Sequence, residues 1–217
     1  MGIIERKERE RAERRALIMR CAKEMVSKYG PTAVSMQDIA KAAELSKATL
    51  YLYFHSKEAL FSEICDESAN AFLQYVQSRL TSGLSVIEKL KLYWKCCLEF
   101  YGGSTDLFII FYLRDFVPPS ETAPTDPSYM IFYFIKDMLD SGIAEGIFES
   151  DINTEFLTRT ILSLFSSKVI SAAAQPADAL HKINFVSEIR SVFNILLRGM
   201  AKPEIDRSLL LLPDISE

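Results

Sequence analysis

Apolar residues along the chain recur at three- and four-residue spacing, strand-like alternation is absent, and Gly and Pro fall at well-separated points. That is the pattern of a protein built from amphipathic helices. A first helix is predicted over residues 5–29, where Ile18, Cys21, Ala22, Met25, Val26 and Tyr29 form one apolar stripe. Gly30 supplies the left-handed position that ends it, and Pro31 forbids continuation. Ser35 caps a second helix through Met36, Ile39, Ala40 and Ala43, with Asp38 completing a capping-box pattern. A tight turn at Glu44-Leu45 leads to a third, short helix capped by Ser46 and reaching about Tyr53. Ser56 caps a long fourth helix from Lys57 to about Leu80, whose Leu60, Phe61, Ile64, Ala71, Phe72, Tyr75 and Val76 face inward.

Beyond Gly83, helices are expected at about 85–101, 104–116, 127–142, 153–174 and 178–199. Gly102-Gly103 separates the first two, and Val117–Ser128, with four of the eight prolines, reads as an extended loop. Gly142 and Gly146 mark turns in the next connection, and Pro176 divides the last two helices. The expected fold class is all-α with about nine helices. Residues 1–56 form a small N-terminal domain, 57–203 a larger helical domain, and 204–217 a tail with little to organise it.

Composition leaves this picture intact: 49% hydrophobic and 25% charged residues are ordinary for a core-forming protein. Charge sharpens it. The net −4 is unevenly spread, because residues 1–60 hold 12 Lys+Arg against 8 Asp+Glu and the remainder holds 13 against 21. A basic front on an acidic body is expected when one end meets phosphates and the other does not. Glu5–Arg15 is almost entirely charged, and two readings of Arg11, Arg14 and Arg15 stay open: a solvated helical extension or a basic arm beside DNA. Cys21, Cys65, Cys96 and Cys97 contain no CxxC pair, and the vicinal Cys96–Cys97 reads as two helix-packing thiols rather than a redox couple. The charged N-terminus and short apolar runs predict no secretory leader and no membrane span, hence a cytoplasmic protein.

Two helices joined by a very short turn, the second short and N-capped, form a helix-turn-helix, which places the N-terminal end of its second helix in the major groove. The segment is Ser35 to Phe54, with Ile39, Ala40, Leu45 and Leu50 spaced to pack the pair and small Ala40 permitting close approach. The run Leu45-Ser46-Lys47-Ala48-Thr49-Leu50-Tyr51-Leu52-Tyr53-Phe54-His55-Ser56-Lys57-Glu58-Ala59-Leu60 resembles the signature of the TetR/AcrR family of transcriptional regulators. The likeness covers residues 14–62, and further on only the helix count and the Gly142-Ile143-x-x-Gly146-Ile147-Phe148 turn.

Within that segment Lys47, Thr49 and Tyr51 stand on the exposed part of the recognition helix, within reach of base edges or phosphates. Tyr53 and His55 lie at its end, towards the backbone, and Lys57 in the first turn of the fourth helix joins the helix amides in holding a phosphate. Gln37, Lys41 and Thr32 are candidate backbone contacts, Ser46 caps the recognition helix, and the Ala48 methyl suits a thymine methyl. Two positions depart from the family pattern. Glu44 stands where Gly is usual at the turn, which costs roughly 1 kcal/mol or more in a left-handed conformation, and Ala48 stands where a small Gly is common.

The resemblance implies a homodimer on double-stranded DNA, paired through the helices near 153–174 and 178–199. These carry Phe156, Ile161, Leu164, Phe165, Phe185, Ile189, Val192, Phe193 and Leu196. It also implies a small-molecule effector site among the aromatic-dense helices of the larger domain, where a pocket for an apolar ligand would be lined by aromatics with a few polar tips. Trp94, Tyr101, Phe111, Tyr112, Arg114, Tyr133 and Phe165 are the candidate lining residues, with Arg114 either an anchor for an acidic ligand or half of a surface pair with Asp115. The expected action is repression, relieved when ligand favours a state in which the fourth helix swings and the recognition helices no longer fit the DNA. No catalytic spacing, phosphate loop or metal motif is present, so neither an enzyme nor a cofactor or metal is expected. The competing reading keeps the DNA-binding half and gives the second domain protein partners in place of a small ligand.

Overall fold

The computed structural model describes residues 2–103, 127–173 and 185–213. Within them lie eight α-helices, numbered here in chain order: α1 (Ile3–Tyr29), α2 (Met36–Ala42), α3 (Lys47–Tyr51), α4 (Lys57–Gln77), α5 (Val86–Gly103), α6 (Pro127–Ala144), α7 (Thr154–Ala173) and α8 (Phe185–Met200). A 3-10 turn at Arg207–Leu210 follows, and the strand-like contact among the described residues is one antiparallel bridge between Phe148 and Ala201. The protein is all-α. The expected helix over 104–116 and nearly all of the proline-rich loop lie outside the described residues, as do Pro176 and His181.

The first three helices close on a core of Ile18, Ala22, Val26, Ile39, Ala40, Leu50 and Phe54. Leu60, Phe61, Ile64 and Cys65 join it from the N-terminal half of α4. The C-terminal half of the same helix enters a second core through Ala69, Phe72, Leu73 and Val76. There α4 packs on α5 and α6, α6 on α7, and α7 on α8. Phe72 stands edge-on to Tyr93 and Phe100 with ring centroids 5.7 and 5.3 Å away, the edge-to-face geometry that suits aromatic quadrupoles. Helix α4 is thus one rod of about 30 Å rooted in two cores. The sequence-level boundary at 56/57 falls at its first turn, ahead of the four residues it lends to the N-terminal core.

Two expectations are corrected by packing. Gly142 does not sit in a turn but in the last turn of α6, where the Phe148 amide donates to its carbonyl at 3.1 Å. The Phe148 ring, 1% exposed, lies against it, so that an added Cβ would come within 2.3 Å of the ring's Cδ2 and Cε2. The turn itself is made by Gly146, at φ 73°. The segment after Pro203, expected to be a loose tail, is docked over residues 205–213: Leu210 and Leu212 are buried in the second core while Leu209 and Leu211 face out. Its alternation of buried and exposed leucines is too short to register as an element by periodicity, and its partners lie far away in sequence.

Both cysteines of the vicinal pair are buried, Cys96 completely. Burial pushes the Cys97 thiol far up and raises that of Cys96, so neither supplies the thiolate that redox chemistry needs. Native protein at neutral pH is expected to leave both unlabelled by iodoacetamide over a time that labels them fully in denaturant. The Gly142→Ala variant is expected to lose roughly 1–3 kcal/mol through overpacking against Phe148, read as a lowered melting temperature. An unchanged melting temperature would contradict the contact.

Candidate nucleic-acid interface

The geometry of the helix pair begins with its caps. The Ser35 hydroxyl accepts from the Asp38 amide at 3.2 Å, and the Asp38 carboxylate accepts from the Ser35 amide at 3.0 Å. The Ser35 hydroxyl also donates to the Asp38 carboxylate, and that bond first, then the one from the Ser35 amide, holds the Asp38 carboxyl below its usual range. At the other end of α2, Glu44 takes a left-handed conformation at φ 56°. The Leu45 amide donates to the Ala40 carbonyl at 2.8 Å and the Glu44 amide to that of Lys41 at 3.1 Å. That bond pair is the Schellman stop, with Glu44 at the position that glycine fills at least strain. Ser46 then caps α3: its hydroxyl accepts from the Thr49 amide at 3.0 Å and lies 2.8 Å from the Thr49 hydroxyl.

With Leu50 and Phe54 buried, the rest of α3 faces outward. Lys47 and Ala48 are exposed, Thr49 is half-buried, and Tyr51 is 43% exposed with the Lys47 ammonium 6.0 Å from its ring centroid. His55 is exposed and Tyr53 half-buried. Gln37 and Lys41 are exposed on α2, and Thr32 on the loop before it. Lys57 is placed differently from a simple phosphate clamp. Its Nζ donates to the Pro31 carbonyl at 2.6 Å and lies 5.2 Å from the Phe61 ring, tying the start of α4 to the loop after α1. Beside it, Glu58 occupies the same first turn, its carboxyl held down by its own backbone amide and then by Ser56.

Arg15 separates from its neighbours. Its guanidinium makes a two-pronged pair with Glu63 on α4, donates to the Tyr53 carbonyl at 2.9 Å, and stacks 4.3 Å from the Phe54 ring. It joins α1, the end of the recognition helix and α4. That is a positioning role which no local sequence pattern announces, because its partners lie 38 and 48 residues away. Further out on the same helix, Arg6 and Arg9 pair with Glu10 and Glu13 at 3.3 and 3.8 Å. Lys7, Arg11 and Arg14 instead line a groove of about 540 Å³ together with Glu10, Glu13, Leu17 and Tyr53, and among the described residues none of the three cations makes an ion pair. A second residue missed in sequence is Leu52, 77% exposed beside Tyr51; hydropathy assigns such a leucine to a core.

In the larger domain, the candidate effector residues divide. Trp94 and Phe165 line a closed cavity of about 40 Å³ together with Tyr93, Cys97, Met138, Leu162 and Leu212. Tyr133 is 45% exposed and is not part of that lining. Phe111, Tyr112 and Arg114 lie outside the described residues, as does the side chain of Tyr101.

Residues 18–64 match the family model described as bacterial regulatory proteins, tetR family. Over 148 residues the chain is 25% identical to an uncharacterized HTH-type transcriptional regulator, YvdT, of Bacillus subtilis, covering 68% of this chain and 76% of that one. It is 25% identical over 155 residues to the HTH-type transcriptional repressor KstR2 of Mycolicibacterium smegmatis, covering 69% and 75%. Among solved structures its fold is similar to that of the fatty acid degradation regulator FadR from Bacillus halodurans. The TM-score is 0.64 at 20% identity, over 84% of this chain and 94% of that one.

Replacing Glu44 by Gly removes left-handed strain of roughly 1 kcal/mol and a negative charge from the exposed turn before the second helix of the pair. Glu44→Gly is expected to melt a few degrees higher and to bind duplex DNA more tightly at low salt. A lower melting temperature would contradict the strain.

Proposed function

We propose that this chain, a non-enzymatic DNA-binding transcriptional regulator of the TetR family, is a repressor that holds a two-fold operator as a homodimer and is released by a small, largely apolar molecule. The observation that carries the DNA half is the face of α3. Its cap is fixed, its Leu50 is buried, and Lys47, Ala48 and Tyr51 are left facing solvent at one end of a basic front. Thr49 contributes through the hydroxyl it shares with Ser46. Gln37, Lys41, Thr32, Tyr53 and His55 surround that face and suit phosphates, which position the protein while base edges specify the sequence. Lys57 needs only to leave the Pro31 carbonyl to reach a phosphate, and Lys7, Arg11 and Arg14 extend the cationic surface past Tyr53.

The homodimer reading draws on what α7 and α8 leave bare. Phe156 and Ile195 are 69% and 72% exposed, and Leu164, two turns from Phe156 on one side of α7, is 42% exposed. Large apolar groups so exposed on two adjacent helices fit a second copy of the same surface, and a two-fold operator demands that symmetry. The repressor reading draws on the name of the KstR2 relative. The effector reading draws on the cavity, whose walls are almost wholly apolar, as those of small-molecule sites commonly are. Ligand then acts by population shift, opening the second core and moving α4 with it. The same small cavity is what the competing reading, protein partners for the second domain, has in its favour. No helix of the described residues is long and apolar enough to cross a membrane, which accords with a cytoplasmic regulator.

Lys57→Ala is expected to weaken binding to every duplex about equally and to reduce the slope of log affinity against log salt by about 0.9. Unchanged affinity and slope would remove Lys57 from the interface. Ile195→Asp is expected to convert a dimer to a monomer in sedimentation equilibrium and to lower operator affinity about tenfold or more, since a single half-site forfeits the linked second contact. A variant that stays dimeric places the dimer interface elsewhere.

A further inference from the structure

Among the described residues, the cavity of the second core is lined by helices and, through Leu212, by the C-terminal segment. The chain reaches that position after α8 by the Phe148–Ala201 bridge, in which the Glu149 amide donates to the Met200 carbonyl and the Lys202 amide to that of Ile147, both at 3.0 Å. Asp206 caps the 3-10 turn, Leu210 and Leu212 turn inward, and two side-chain bonds fasten the end. The Leu212 amide donates to Asn194 Oδ1 at 2.8 Å, and the Trp94 indole N–H donates to the Pro213 carbonyl at 3.2 Å. The helical walls interlock with the rest of the core through many side chains. The strap is held at the cavity by Leu210, Leu212 and those two bonds.

The polar atoms at this cavity narrow what can enter. The Tyr93 hydroxyl is engaged with the Cys97 thiol, and burial holds both in their neutral forms. The lining named for the cavity contains no charged side chain. Among the described residues that leaves the Trp94 indole, a donor only, whose acceptor there is the Pro213 carbonyl of the strap. A buried donor stripped of its acceptor is costly, so whatever displaces the strap must offer an acceptor in place of the Pro213 carbonyl.

We propose that residues 205–213 form the removable wall of the effector site. Leu212 occupies the room that an uncharged, largely apolar molecule takes, and that molecule carries a carbonyl or ether oxygen which replaces the Pro213 carbonyl on Trp94. Strap docking and effector binding then compete. This rests on the ligand-responsive reading above only for its regulatory meaning; the site itself stands on the cavity, the strap and the donor.

Trp94 is the single tryptophan of the chain and reports directly on the site. The full chain and its Leu212→Ala and Asn194→Ala variants, each checked for native circular dichroism and melting temperature, are titrated with straight-chain methyl ketones, 2-decanone among them, and with the matching alkanes. The expected result is a saturable change in Trp94 emission with a ketone, about tenfold tighter in both variants than in the parent, and about tenfold weaker with the matching alkane. Three outcomes overturn the proposal: no saturable response to any ketone in any of the proteins, equal affinity of parent and variants, or equal affinity for ketone and alkane. Operator binding measured in the same titrations keeps the two claims apart. Strap competition without operator release leaves the site standing and defeats the ligand-responsive reading. Ketone-driven release with equal affinity in parent and variants does the reverse.

Discussion

Helix α4 buries Leu60, Phe61 and Ile64 among the first three helices and Phe72, Leu73 and Val76 among α5 and α6. A close-packed core does not deform continuously, so a rod rooted in two of them transmits a rearrangement in one as a displacement of the other. At the seam sits Ser68, completely buried, with its hydroxyl unpartnered among the described residues. The joint between the two cores therefore carries a buried polar atom whose hydrogen-bonding capacity is unmet among the described residues. Arg15 with Glu63 and Lys57 with Pro31 fasten the DNA-proximal half of the rod to the reading head. The Tyr75 hydroxyl, donating to Glu99 at 2.7 Å, fastens the distal half to α5.

Charge is divided along the same axis. The cations of the first sixty residues are split between structural work and a free surface. Arg15 is consumed in holding helices together and Arg6 and Arg9 pair along their own helix, leaving Lys7, Arg11, Arg14, Lys41 and Lys47 outward. The acidic excess lies in residues 61–217, beyond the helix-turn-helix segment. A net charge of −4 is thus compatible with DNA binding, because local potential and not the total governs approach.

What was legible in the sequence was whatever a local rule encodes. The caps at Ser35, Ser46 and Ser56, the stop at Gly30 and the burial of Leu50 and Phe54 each follow from a residue type at a fixed offset, and the structure places each accordingly. The left-handed Glu44 was legible only through the family resemblance, since its residue type argues against it. What was illegible depended on distant partners. Arg15 reads as one charge among many until α4 arrives beside it. Gly142 reads as a turn until the Phe148 ring lies against it. Residues 205–213 read as a tail until Asn194 and Trp94 supply partners for their backbone. In the candidate effector site, Trp94 and Phe165 fall at the cavity while Tyr133 turns to solvent, because aromatic density locates a region and only packing decides which ring faces inward.

Selection of bound fragments from a random duplex library is the sharpest check on whether α3 reads DNA as one of a two-fold pair. The expected result is enrichment of an inverted repeat whose half-site centres lie about one helical turn, or a multiple of it, apart, and loss of that enrichment when Lys47, Thr49 and Tyr51 are all replaced by Ala. Enrichment of an asymmetric sequence, or the same inverted repeat selected by the triple variant, would contradict it.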